Sequence, residues 1–191
     1  AELEGLELED NYKSTNRYYV LWKLSKKKHE KNVAKYAELA EEYYKNANIS
    51  ILNPVEELGY LVKGYESTLR AHGKVITVNT PEGNKVLNTY FPSRIEQIIS
   101  KVNPTAINTD QSGKTGSALP APLIFRAAYS GLVSETLIGL PVRFIAIEGE
   151  MQFQELKMTD SNGECFTTVT EIVSDLPLQK ITAQIDLSSF L

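Results

Sequence analysis

A chain of 191 residues and 21.3 kDa is long enough for one large domain or two small ones. With 42% hydrophobic and 23% charged residues its composition is globular, which excludes global disorder. A formal charge of −4 makes it a poor generic nucleic-acid binder, and one cysteine with two histidines excludes an internal disulfide and leaves most metal centres short of ligands.

Leu6 and Leu8 alternate with charged residues, and a polar turn is expected over residues 10–16. Tyr18, Tyr19, Val20, Leu21, Trp22, Lys23 and Leu24 then place aromatic and branched side chains at period two, so the two runs predict a β-hairpin. The basic cluster Lys26, Lys27 and Lys28 opens a helical pattern. Val33, Tyr36, Ala37, Ala40, Tyr43 and Ala47 recur at three- and four-residue spacings and share one face. Asn53-Pro54-Val55-Glu56 is a helix start: Asn caps, Pro suits the first turn, and Glu56 stands three residues beyond the cap. Val55, Leu58, Leu61, Val62, Tyr65 and Leu69 form its expected buried stripe. Ser93-Arg94-Ile95-Glu96 reads as a second capping box, opening a short helix with Ile95, Ile98, Ile99 and Val102 inward.

Composition changes near residue 105. Residues 1–105 carry 15 Lys/Arg against 14 Asp/Glu, whereas 106–191 carry 5 against 10, and nine of the ten tyrosines fall in the first part. Residues 103–122 are rich in Pro, Gly, Ser, Thr and Asn, and read as a linker or a domain's entry strand. Two domains are therefore expected, 1–104 and 105–191. The first is α+β, a hairpin plus helices. The second is all-β, with strands at 123–129, 142–148, 153–158, 165–173 and 180–187, and with Asn162-Gly163 as a tight hairpin turn. Such spacing suggests an antiparallel sandwich, one or two edge strands of which are missing or come from the linker.

The run from Leu3 through the Tyr18-Tyr19-Val20-Leu21 strand, the basic turn and the long helix resembles the second half of a bacterial envelope lipoprotein family, Lpp-twenty. That family is related to the amino-terminal region of flagellar assembly protein T. The resemblance implies a small unit in which a sheet packs on helices, with a preceding helix and strand removed by trimming or replaced by a partner. In the second part, Gly139 to Phe144, the Thr159 to Gly163 hairpin and Ile181 to Ala183 resemble bacterial immunoglobulin-like domains of the invasin and intimin kind. Such modules are stalks and docking surfaces, so this resemblance implies an extracytoplasmic, non-enzymatic role.

Chemistry-bearing residues are sparse. His29 follows a lysine run, His72 stands at a helix end beside Gly73, and neither lies in a nucleophile elbow; both are expected to be ordinary helix-end residues. Cys165 alternates with Thr167 and Val169 and is expected in a core. Asp160 to Gly163 resembles the start of a calcium loop but lacks the later bidentate acid, so a turn is expected. Gly113-Lys114-Thr115 lacks the preceding glycine and strand of a phosphate loop and is read as linker.

The candidate partner-binding residues are Tyr18, Tyr19, Trp22, Lys26, Lys27 and Lys28. Lys26, Lys27, Lys28, Lys31 and Lys35 make the single basic patch, suited to headgroups, peptidoglycan or a partner, with a solvated helix face as the plainer reading. Tyr18, Tyr19, Trp22, Tyr36, Tyr43, Tyr44, Tyr60 and Tyr65 are expected mostly to fill a sheet–helix interface. Alternation separates Tyr18, Val20, Trp22 and Leu24 from Tyr19 and Leu21, which demands two buried faces or one exposed aromatic face, and an exposed one would be a partner site.

The expected function is non-enzymatic binding or assembly in the cell envelope, periplasmic or at the outer membrane, with no cofactor. Partners would be an envelope protein or a second copy through the hairpin, and peptidoglycan; no nucleic acid and no transmembrane segment are expected. A chain starting at Ala1 is compatible with trimming or a removed export signal, and with a lipid anchor upstream. The alternative is a carbohydrate- or peptidoglycan-binding module that stacks Trp22 and neighbouring tyrosines on sugars.

Overall fold

The computed structural model describes residues 6–130 and 134–191. In chain order the elements are β1 (Leu6–Ser14), β2 (Arg17–Leu24), α1 (Lys26–Ile49), α2 (Pro54–Arg70), β3 (Thr77–Thr80), β4 (Gly83–Val86) and α3 (Leu87–Ile99). They continue with β5 (Val102–Ile107), β6 (Leu123–Ser130), β7 (Ser134–Thr136), β8 (Pro141–Glu148), β9 (Met151–Gln152), β10 (Leu156–Met158), β11 (Glu164–Thr167), β12 (Glu171–Ile172) and β13 (Lys180–Ile185). A short 3-10 turn, Leu187–Phe190, closes the chain. The architecture is mixed: helices and antiparallel strands in small sheets, with no closed barrel among the described residues.

The described residues cluster into two compact units. One takes residues up to Ile49 plus Tyr60–Arg94; the other takes Ser50–Gly59 and the described residues from Ile95 to Leu191.

In the first unit, β1 and β2 form a two-stranded antiparallel hairpin. Residues 10–14, expected in a turn, are strand: Ser14 pairs with Arg17, so the turn shrinks to Thr15-Asn16. Cross-strand aromatic and cation–π partners favour the extension, with Tyr12 against Tyr19 at 6.2 Å and the Lys13 ammonium 5.6 Å from the Tyr18 ring centre. α1 begins after Ser25, whose Oγ accepts from Lys28 N–H at 3.4 Å. It buries Tyr36, Ala37, Ala40, Tyr44 and Ala47. Tyr44, rather than the expected Tyr43, takes the inward place and meets the edge of Tyr90 at 5.1 Å.

The Asn53 cap forms as its sequence demands: Asn53 Oδ1 accepts from Glu56 N–H at 3.3 Å, and Asn53 Nδ2 donates to Glu56 Oε2 at 3.4 Å. The buried stripe of α2 differs from expectation. Leu58, Leu61 and Val62 are inside, but Leu69 is 52% exposed. Ser67 and Thr68 are buried instead, their hydroxyls donating to Lys63 O at 2.9 Å and Tyr65 O at 2.7 Å. On the same helix, Gly64 leaves room for the ring of Phe91, which a β-carbon there would meet.

α3 starts at Leu87, six residues before the expected cap at Ser93, and carries Pro92 inside. Pro at position six of a helix is still close enough to the start to spare most of the ladder. The buried residues Leu87, Phe91, Ile95 and Ile98 carry one helical stripe across the proline. Val102, expected inward on this helix, begins β5. The hairpin of β3 and β4, turning at Pro81-Glu82 with Gly83 at φ 118°, was not foreseen in the sequence.

In the second unit, β6 is flanked by β5 and β11 and also pairs β7, while β8 is flanked by β10 and β13, and β9 pairs β12. Alternation along β6 buries Phe125, Ala127 and Tyr129, and along β8 buries Val142 and Phe144. The first part of the supposed linker is thus an edge strand, β5, and edge position explains its tolerance of Pro104. The following segment is not a free linker either. Gly116 N–H donates to Ile172 O at 2.8 Å, Ile172 N–H to Ser117 O at 3.0 Å, and Leu119 N–H to Val169 O at 3.1 Å. A β-carbon on Gly113 would run into Ile172 Cδ1, so that glycine serves packing, not phosphate.

Candidate binding surface

The register of the β1–β2 hairpin sorts its side chains. Directly opposed residues share a face. Leu6 opposes Leu24, Leu8 opposes Trp22, Asn11 opposes Val20 and Lys13 opposes Tyr18. On the other face Glu7 opposes Lys23, Asp10 opposes Leu21, Tyr12 opposes Tyr19 and Ser14 opposes Arg17. The register slips between Leu8 and Asp10, so Glu9 is the extra residue of a β-bulge. One face is therefore mainly apolar, and the other mixes charges with Tyr12, Tyr19 and Leu21.

Tyr18 and Trp22 sit on the apolar face and Tyr19 on the mixed face, so the candidate aromatics do not form one patch. All three are open to solvent, at 69%, 56% and 50%. Tyr12, Leu8, Val20 and Leu21 are exposed as well. The expectation that these aromatics fill a sheet–helix interface fails for Tyr18, Tyr19 and Trp22, which are exposed, while Tyr36 and Tyr44 are buried but meet Arg70 of α2 and Tyr90 of α3. Neither of the two arrangements that alternation allowed is realised, since both faces are exposed. Tyr12 was missed because it fell within the supposed turn; its pairing with Tyr19 becomes visible only once Glu9 is removed from the count.

Lys26, Lys27 and Lys28 follow the hairpin and are exposed. Lys28 is 3.3 Å from Glu7, Lys23 is 3.3 Å from Glu9, and Lys26 is 3.9 Å from Glu30. Exposed pairs of this kind contribute little to stability, and only Lys28–Glu7 links the hairpin to the start of α1.

The remaining candidates are structural. Cys165 is buried, and burial pushes its thiol up to about 11. Asp160 Oδ1 accepts from Asn162 N–H at 2.8 Å and Glu164 N–H at 3.0 Å, so this carboxylate closes the turn. Gly163, at φ 70°, lies so close to Ala127 O that a β-carbon would stand 2.6 Å from it. Arg143 Nη2 donates to Asp186 Oδ2 at 2.7 Å, and Ser188 and Ser189 hydroxyls donate to the same carboxylate at 2.5 and 2.9 Å. The Ser188 hydrogen bond first, then Arg143, hold the Asp186 carboxyl down at about 2.

A cavity of about 910 Å³ in the second unit is lined by Ile107, Leu123, Phe125, Phe144, Ile147 and Ile181, among others. Asp110, Lys114, Asp175 and Lys180 line it too, so its wall is mixed rather than purely apolar. Among the described residues no helix is long and apolar enough to cross a membrane. Comparison with protein-family models, curated proteins and solved structures gives no match.

Proposed function

We propose that the chain is a non-enzymatic, exported cell-envelope protein, periplasmic or outer-membrane-associated, that works by binding and assembly. In this reading the first part is an Lpp-twenty-like lipoprotein unit that docks to an envelope protein or a second copy. The second part is an immunoglobulin-like β-sandwich that spaces or presents it. The observation that carries the reading is the hairpin, with Tyr18 and Trp22 exposed on one face and Tyr12 and Tyr19 on the other. A lone two-stranded hairpin is marginal in water, and contiguous exposed apolar side chains mark contact surfaces. The two antiparallel groups, β5, β6 and β11 in one and β10, β8 and β13 in the other, support the sandwich reading of the second part.

Size-exclusion chromatography with light scattering, and a pull-down from solubilised envelope fractions, test this. Self-association or specific capture is expected, weakened by replacing Tyr18 and Trp22 with serine. A strictly monomeric chain that captures no envelope component overturns it. A second reading, a carbohydrate or peptidoglycan binder, draws on the exposure of Trp22, the chain's single tryptophan. Glycan titration of its fluorescence separates the two, since only sugar stacking would quench or shift that emission in the absence of any protein partner.

A further inference from the structure

The chain has two histidines, and the first unit brings them together. The ring centres of His29 and His72 lie 5.1 Å apart, with planes tilted by 39°. His29 stands in the first turns of α1, its backbone N–H donating to Ser25 O at 2.9 Å. His72 follows the end of α2 with φ 50°, a left-handed conformation uncommon for a residue with a β-carbon. Both are half-buried and line a hollow with Glu30, Val33, Ala71 and Lys74. Among the described residues no hydrogen bond or ion pair engages either imidazole.

That separation suits a shared ion. An imidazole nitrogen binds zinc at about 2.0–2.1 Å, and tetrahedral angles then put two ligating ring centres about 5 Å apart. We propose that His29 and His72 form a two-histidine site for a borderline-soft divalent transition ion of the zinc class, with water completing the coordination. Imidazole suits zinc, copper and nickel, whereas magnesium and calcium take oxygen ligands. Bound there, the ion would fasten the start of α1 to the end of α2, independently of the hairpin surface.

Zinc chloride titrated into the 191-residue chain, followed by long-range ¹H–¹⁵N spectra of imidazole nitrogens, reads only two rings. Both should shift in step and saturate at one zinc per chain. By calorimetry, His29→Gln and His72→Gln should each weaken zinc binding at least tenfold, with unchanged far-ultraviolet circular dichroism. Magnesium should move neither ring. Equimolar zinc that leaves either ring unmoved, equal affinity in both variants and the parent chain, or a response to magnesium would overturn the assignment. Should a variant lose its fold, the spectral titration of the parent chain still decides the question.

Discussion

Gly64 and Phe91 share one volume: a β-carbon on Gly64 would stand 3.0 Å from Cε2 of the Phe91 ring and closer still to Cζ and Cε1. Phe91 is fully buried and has nowhere to retreat. Gly64→Ala would gain about 1 kcal/mol of helix propensity. Overpacking costs about 1–3 kcal/mol, and three ring atoms inside contact distance put this case toward the upper end. We expect a net loss of about 1–2 kcal/mol, seen as a melting point lower by roughly 2–8 °C. Gly64→Ala combined with Phe91→Leu should recover part of it, and a more stable single variant would refute this packing.

The Asp186 carboxylate makes stability depend on acidity. Its folded value lies at about 2, below the ordinary carboxylate range, so the stabilisation is fully present above about pH 4 and is lost as pH falls toward 2. Asp186→Asn should destabilise the chain at pH 7 by about 1–3 kcal/mol, because Arg143 keeps a poorer partner. Urea unfolding at several pH values should show the gap between parent and variant closing between pH 4 and pH 2. A gap independent of pH would mean that the charge is not what matters.

Cys165 is expected to be inert while the fold holds. With burial raising its thiol to about 11, very little thiolate exists at pH 8. A disulfide reagent should label the native chain slowly and label it at once, with one equivalent, in guanidinium. Rapid native labelling would place this residue outside the core.

Gly163→Ala should cost about 1–3 kcal/mol, since it combines a left-handed backbone with a β-carbon 2.6 Å from Ala127 O. Chemical denaturation checks this directly.

On the hairpin the expectation is opposite. Tyr18→Ser and Trp22→Ser remove side chains that are more than half exposed, so unfolding free energy should stay within about 0.5 kcal/mol of the parent. Association, by contrast, should fall. A variant that unfolds the chain would show that these rings stabilise the monomer.

Elements with strong local signals were legible. The Asn53 cap and most of the α1 stripe follow from neighbours in sequence; Asn162-Gly163 makes a turn, but not the expected hairpin, because β10 before it pairs β8 and β11 after it pairs β6. What escaped notice depended on residues far apart. Ser93 read as the cap of α3, and only the stripe from Leu87 to Ile98 shows that the helix begins earlier and runs through Pro92. Leu69 was placed inside by spacing alone, yet it is exposed while Ser67 and Thr68, which satisfy their hydroxyls on the helix's own carbonyls, are buried. Residues 103–107 read as linker or entry strand, and they are strand, since polar and small residues suffice on an edge. For the candidate surface, alternation separated Tyr18 and Trp22 from Tyr19, but exposure of both faces is a tertiary outcome. The meeting of His29 with His72 likewise depends on how α1 and α2 pack, and no local pattern announces it.

The bulge at Glu9 has a further consequence. In an unbroken ladder, Asp10 would oppose Val20 and bring a carboxylate onto the side that carries Trp22; absorbing one residue turns it toward Leu21 instead. The segregation of greasy from wet side chains thus hangs on one supernumerary position. Removing Glu9 would keep the backbone pairs of the ladder, at the loss of the Lys23 ion pair, and yield a straighter, less coiled ribbon, whereas inserting a residue elsewhere in β1 would scramble its two sides.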